Sequence, residues 1–372
     1  MRIVSACLCH DDNIIHSLIE SQCQWGTFPP QSNYTDNVDT SVSIQHWEYF
    51  EDNPYYDYIL NNYSVVNSDD RVYIVTKYSS SYPQSLNQTF IFEGNPEGGA
   101  WSPYIFDSTN STNNPKRDNP YVLGHIAPQW NDYGANASTY LEAYYSWRDG
   151  LPALADKQWG GQISRPEYDA LIGKLQASAP AQNLDRTIKS KSSTIVQYSF
   201  NQSSPSGTAG VVKDLSGNGY DGTTNCSVSS ASLQVRGGCS LTLPLASKGE
   251  DYTLSFSVKP KSGSVGPIFS GQDSVLQSSE SSLDLVSGGY AYALNYSLPI
   301  GTWTQAKLIR NGNRTFFSAD DSPKMEFITR VGVNGERFKW ESMAINAPVH
   351  SIGGGAWEGD IAEVELVDYA RL

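Results

Sequence analysis

Trp130, Asn131 and Asp132 stand side by side in Tyr121–Gly134, Y-V-L-G-H-I-A-P-Q-W-N-D-Y-G. A flat aromatic beside a carboxylate is chemistry that holds a sugar. The CH groups of a pyranose stack on the indole, and the hydroxyls donate to the carboxylate. Other aromatic side chains fall in comparable places. Trp47 ends the run Val42-Ser43-Ile44-Gln45-His46-Trp47, Trp25 precedes Pro29-Pro30, and Tyr78 and Tyr82 lie in the polar loop Lys77–Gln84. Each has a plainer reading beside it. The tryptophans suit packing between a strand end and a helix, and Asp132 suits the turn Asn131-Asp132-Tyr133-Gly134. Glu48, Glu51 and Asp52 form an acidic cluster that is more simply a solvated loop than an acid–base pair. His46 and His125 read as core or loop histidines.

Metal chemistry has little to stand on. Cys7, Cys9 and Cys23 with His10 and His16 do not give the four ligands of a closed zinc site. Asp214 and Asn218 would offer oxygen ligands to calcium, and they equally suit a self-bonded turn. Neither a metal nor a cofactor is expected. Cys226 and Cys239, close together in a Ser/Gly-rich stretch, are expected to close a small loop as a disulfide.

The elements that would position these residues come in two kinds. Val122-Leu123-Gly124-His125-Ile126 is an apolar run of the kind found in a strand buried on both sides. Val42–Trp47 and Arg71–Val75 read as further strands, each followed by an aromatic-bearing loop. Helical patterns cover Tyr55–Leu60, Ala137–Trp147 with Leu141, Tyr144 and Tyr145 on one face, and Leu151–Trp159. Trp147 and Trp159 read as core. Ser164-Arg165-Pro166-Glu167 is a capping box that starts a helix running through Ala177. Strands separated by crossover connections favour a parallel sheet or barrel. From Thr194 the period becomes two. Leu254, Phe256 and Val258 share a face, as do Ala362, Val364 and Leu366, and Gly-rich turns separate the runs. That is an all-β sandwich.

Composition narrows the partners. The chain has 372 residues, which allows two or more domains, and a net charge of −14. An acidic surface repels nucleic acid and anionic membranes, so neither is expected as a partner. Tyrosine and tryptophan are abundant, at 23 and 9 residues, in keeping with carbohydrate contact. Nine N-x-[ST] sequons begin at Asn33, Asn62, Asn87, Asn110, Asn136, Asn201, Asn225, Asn295 and Asn313, which points to an extracellular, secreted glycoprotein. Met1–His16 has no sustained apolar core like that of a signal peptide. The two observations together lead to the expectation of a chain without its true N-terminus.

Three motifs carry a family resemblance. Val42–Phe50 (V-S-I-Q-H-W-E-Y-F), Val122–Gly134 and Glu142–Gly161 (E-A-Y-Y-S-W-R-D-G-L-P-A-L-A-D-K-Q-W-G-G) resemble glycoside hydrolase family 20, the β-N-acetylhexosaminidases. Tyr198–Phe200, Asp214–Gly222 and Gly359–Leu366 resemble a laminin-G/concanavalin-like domain. The resemblance implies a partial (β/α)8 TIM barrel (strands five to eight) over residues 25–190, then a β-sandwich over 191–372, after a divergent segment 1–24. It implies N-acetylhexosamine-containing glycans as partners. It makes Trp130 the wall of the sugar pocket, Asp132 the holder of distal hydroxyls, Trp47 and Trp25 aromatic neighbours, and Tyr78 or Tyr82 the donor to the acetamido oxygen. The family's substrate-assisted hydrolysis uses an adjacent Asp-Glu pair, and no Asp-Glu dipeptide occurs in this chain. Recognition of glycan without hydrolysis is therefore the alternative to a hydrolase.

Overall fold

A computed structural model describes residues 23–26, 38–46, 54–77, 83–131, 134, 136–178, 183–200, 210–320, 322–333 and 337–372. The chain divides into two units. The first comprises Met1–Asp132 and Tyr145–Ala179, and the second Tyr133–Tyr144 and Pro180–Leu372.

The first unit holds a parallel sheet of four short strands in the order Cys23–Gly26, Ser43–His46, Val65–Asn67, Val122–His125. A second parallel pair joins Ile74–Val75 to Gln129–Trp130. Ile44, Val65 and Val122 pack with Tyr58 and Tyr63 around the helix Pro54–Leu60. Ile74, Leu86, Ile91, Trp101, Leu154 and Tyr168 form a second apolar cluster. It is roofed by the helices Leu151–Gln158 and Arg165–Ser178. Ser164 starts the latter helix: its backbone N–H donates to Glu167 Oε2 at 2.8 Å, and Glu167 N–H returns to Ser164 Oγ at 3.5 Å.

The partial (β/α)8 TIM barrel expected for this region is not what the described residues build. The strands are three or four residues long. Barrel strands alternate one-for-one with covering helices. Between Val65–Asn67 and Val122–His125 the chain instead makes a 3₁₀ turn, a two-residue strand in another sheet, the six-residue helix Gln88–Glu93 and a second 3₁₀ turn. The expected strand Arg71–Val75 is displaced for a local reason. Asp69 accepts from the Arg71 backbone N–H at 2.9 Å and pairs with its guanidinium, which winds Asp70–Val72 into the 3₁₀ turn.

The second unit is a β-sandwich. One sheet of eight strands centres on Tyr252–Pro260, which lies between Thr304–Asn311 and Gly359–Val367. Gly359–Val367 also pairs with Ser232–Val235 and with Thr194–Tyr198. The other eight-stranded sheet includes Tyr290–Leu294, Leu283–Ser287, Ser274–Ser278, Gly266–Ser270 and Ser351–Gly353. All of these pairings are antiparallel, and alternate residues face inward as period two requires. Leu254, Phe256, Val258, Leu308 and Phe317 meet Ile268, Phe269, Leu276 and Leu285 in one core. Phe256 and Phe269 lie 4.6 Å apart between ring centroids. A bulge changes one face: Glu363 takes φ 51° and the register shifts opposite Ser255–Ser257, so Ile361 is buried and Ala362 is not. Cys226 and Cys239 are joined by a disulfide.

Residues 136–144, before and within the helix Tyr140–Arg148, belong to the sandwich by their bonds. Thr139 and Glu142 form a capping box, with Thr139 N–H on Glu142 Oε2 at 3.0 Å. Glu142 Oε1 accepts from Ala344 N–H at 2.8 Å, and Thr139 Oγ1 donates to Ala344 O at 2.7 Å.

Candidate glycan-binding site

Trp130 closes the strand Gln129–Trp130, which pairs in parallel register with Ile74–Val75. Its side chain remains exposed, at 37%. The backbone beneath it is fixed. Thr76 N–H donates to Trp130 O at 2.8 Å. The Thr76 hydroxyl lies 3.0 Å from Trp130 O and 2.7 Å from Asn131 Oδ1, and it accepts from Gln129 Nε2 at 3.1 Å. Gln129 Oε1 accepts in turn from Trp147 Nε1 at 2.6 Å and from Ser146 Oγ at 3.3 Å. These bonds fix the backbone that carries the indole, so a sugar stacking there would cost little backbone freedom.

Ser146 also lines a polar groove of about 620 Å³ in the same unit, with Asn87, Gln88, Thr89, Tyr145, Asp149 and Arg165. Arg165 Nη1 donates to Thr89 Oγ1 at 3.0 Å. Asp149 lies 3.0 Å from Arg148 Nε and accepts from Gln176 Nε2 at 2.8 Å. Amides, hydroxyls and one carboxylate give donors and acceptors of the kind that read sugar hydroxyls. Among the described residues Asp149 is the one carboxylate lining the groove, whereas glycoside hydrolysis in its usual form employs two.

His125 is buried against Trp101, with ring centroids 4.7 Å apart and edge-to-face. Burial pushes its imidazole down to about 3, so it is neutral at any physiological pH. Trp147 is half-buried and bonded as above. Trp159, expected in the core, is instead 77% exposed, because it caps the helix end after Gln158 where the chain turns through Gly160.

Of the other residues expected at the site, Trp47, Tyr78, Tyr82 and Asp132 lie outside the described residues, as do Glu48, Glu51 and Asp52. Trp25 falls in the described strand Cys23–Gly26 by its backbone alone. The Asp214 turn is self-bonded: Asp214 accepts from the backbone N–H groups of Gln197, Ser216 and Tyr220, and Asn218 Nδ2 donates to Thr194 O and Ile195 O. Among the described residues no group of His, Cys, Asp and Glu is placed to hold a metal ion. Phe338 and Trp340 are, among the described residues, the most exposed aromatic pair on one strand, at 59% and 66%. Their alternation with Lys339 and Glu341 was a visible signal, but alternation does not say which face is wet.

No protein-family model matches the chain, and no curated protein matches it. Several solved structures are similar. The sialidase of Trypanosoma rangeli is 12% identical, with a TM-score of 0.35, over 56% of this chain and 38% of the sialidase. The ligand-binding domain of botulinum neurotoxin serotype D, in complex with N-acetylneuraminic acid, is 9% identical, with a TM-score of 0.33, over 48% of each chain. Domain 4 of a GH43 extracellular arabinanase from Geobacillus stearothermophilus, in complex with arabinotriose, is 18% identical, with a TM-score of 0.32, over 48% of this chain and 93% of that one. The alignment spans less than half the length of the sialidase. All three are carbohydrate-active or carbohydrate-binding proteins. At these scores the likeness is loose, and the β-sandwich is defined by its own hydrogen-bonded sheets. The resemblance to glycoside hydrolase family 20 gains no support from these comparisons.

Proposed function

We propose that this chain is a glycan-binding protein rather than a hydrolase, and that its first unit takes a pyranose of the N-acetylhexosamine type on Trp130. The observation that carries the reading is the exposed indole on a strand end held by Thr76, Gln129 and Trp147. The polar groove lined by Ser146 supplies hydrogen-bonding groups nearby. The lack of an Asp-Glu dipeptide favours recognition over substrate-assisted hydrolysis. We further place the protein outside the cell. The disulfide fits an oxidising compartment. The sequon residues Asn62, Asn87, Asn110, Asn225, Asn295 and Asn313 are all exposed.

The test is calorimetric titration of the whole chain with N-acetylglucosamine oligomers, for wild type and Trp130→Ala. Loss of one stacking partner should weaken binding about tenfold, since an aromatic contact is worth about 1 kcal/mol plus its buried area. Equal binding by the two proteins would remove Trp130 from the site. Turnover of a chromogenic N-acetylglucosaminide above the Trp130→Ala background would replace the binding reading with the hydrolase one.

A further inference from the structure

A second surface, in the sandwich unit, has its own chemistry. Strands Ile328–Val333 and Arg337–Ser342 form a separate two-stranded antiparallel sheet. The register sets Arg330 opposite Trp340 and Gly332 opposite Phe338. Directly opposed residues share a face. That face carries Phe338, Trp340 and, at 38% exposure, Ile328. The other face carries Thr329 and Val331, both buried, and the mutual ion pair of Lys339 with Glu341. The charged pair is thus turned away from the aromatics. Gly332 has no side chain to cover Phe338, so the ring lies open on that side. Positions two apart on a strand are roughly 7 Å apart, which sets the two rings as one ledge.

The guanidinium of Arg330 lies over the Phe338 ring, with its carbon 4.3 Å from the centroid. Seven other arginines sit beside an Asp or Glu. Arg330 has no carboxylate within ion-pair distance among the described residues, on a chain with 39 acidic and 25 basic residues. Arg330 is exposed, so the N–H donors of its planar fork are open to solvent. A fork of that shape matches a carboxylate with two parallel bonds. The net negative charge of the chain does not cancel this site, because exposed charges beyond about 8 Å are screened at physiological salt.

We propose that the Phe338–Trp340 ledge binds a pyranose bearing a carboxylate, with the sugar ring on Trp340 and the carboxylate on Arg330. The aromatics supply stacking that any pyranose would use, and the unpaired fork selects the acidic ones. This goes beyond the Trp130 site and does not depend on it.

The experiment is titration of the whole chain with two acidic probes and their neutral counterparts: 3′-sialyllactose against lactose, and trigalacturonate against its methyl ester. The two arms separate a nonulosonic from a uronic acid. Wild type should bind at least one acidic probe about tenfold or more tightly than its neutral counterpart, and that preference should shrink as salt is raised. Arg330→Met, which keeps the stem over Phe338, should abolish the preference and leave the neutral probe unchanged. Trp340→Ala should weaken acidic and neutral probes alike. Titration of the same variants with N-acetylglucosamine oligomers reads the Trp130 site separately, which distinguishes failure here from failure of the first site. Unaltered melting of the variants checks the fold. Equal binding of acidic and neutral forms, or an unchanged preference in Arg330→Met, overturns the proposal. So does a ledge occupied instead by a second copy, seen as a dimer that Trp340→Ala dissociates, or by neutral lipid vesicles bound in a Trp340-dependent way.

Discussion

Asp273→Ala tests how the sandwich holds the segment that leads into it. Arg186 and Asp273 form a two-pronged pair, Nε to Oδ2 at 2.7 Å and Nη2 to Oδ1 at 3.0 Å, with both side chains nearly buried at 8% and 12% exposure. Asn346 Nδ2 adds a bond to Asp273 Oδ2 at 2.9 Å, and Arg186 lies over the Tyr140 ring at 4.7 Å. Burial raises the Asp273 carboxyl, and the hydrogen bonds from Arg186 and Asn346 outweigh it and hold it below its ordinary value. The same bond raises Arg186. Removing the carboxylate strands a buried guanidinium, which costs about 3–5 kcal/mol. For a domain of this size, roughly 2–4 °C is lost per kcal/mol, so the melting temperature should fall by about 6–20 °C. Scanning calorimetry of the whole chain reads the effect, and the sandwich transition is the one that moves on reduction of Cys226–Cys239. Arg186→Met with Asp273→Leu should recover most of the loss, because neither charge is then left alone. A lowered carboxyl contributes stability above its unfolded value near 3.8, and that contribution is lost as pH falls through the folded value. Wild type should therefore lose stability below pH 4 more steeply than Asp273→Ala. A shift within 2 °C of wild type (against the roughly 6 °C minimum expected), or a double variant as unstable as the sum of the singles, would refute the account.

Three further outcomes follow from local geometry. Replacing Cys226 and Cys239 by serine opens a loop with a separation of 13 residues and should cost about 3 kcal/mol, read as a lower denaturant midpoint. In Gly359→Ala the added carbon would collide with Trp357 Cη2, on a fully buried ring, and should cost about 1–3 kcal/mol by overpacking; Gly173→Ala meets nothing within 4 Å in its helix and should gain about 1 kcal/mol. Asp107 is raised by burial but brought down to about 2 by bonds from Thr109, Asn113 and the Asn110 backbone, so the protection of the Thr109 and Asn110 amides relative to their intrinsic exchange rates should hold above pH 4 and fall as pH drops towards 2, an acid step that Asp107→Asn abolishes.

The legible parts of the chain were those in which the signal is local. The Ser164–Glu167 box needs three residues of context, and it starts its helix as expected. Leu254, Phe256 and Val258 alternate without interruption, and all three are buried. The misread parts depend on partners far along the chain. Val65–Asn67 is a strand of three residues ending in a fully buried asparagine, which is tolerated because Asn67 Nδ2 donates to Pro103 O and Ile105 O, some forty positions on. No local pattern announces that. The bulge at Glu363 exchanges Ala362 for Ile361 on the inner face, and a strict period of two cannot anticipate an extra residue. The exposed aromatics were half legible. Trp130 was marked by its type and its place after an apolar run, whereas the Phe338–Trp340 ledge presents outward the residues that alternation alone would turn inward.

The strand Gly359–Val367 has a consequence for how the chain comes into being. It is the last strand of the sandwich to be synthesised, yet it lies inside its sheet, bonded to Tyr252–Pro260, Ser232–Val235 and Thr194–Tyr198. Its partner Thr194 precedes Val367 by about 170 residues. At cellular rates of elongation the earlier strand waits roughly 10–35 s for its mate. By the end of that interval three strand edges stand open, each able to recruit a neighbouring chain. The vulnerable moment of this protein is therefore its birth.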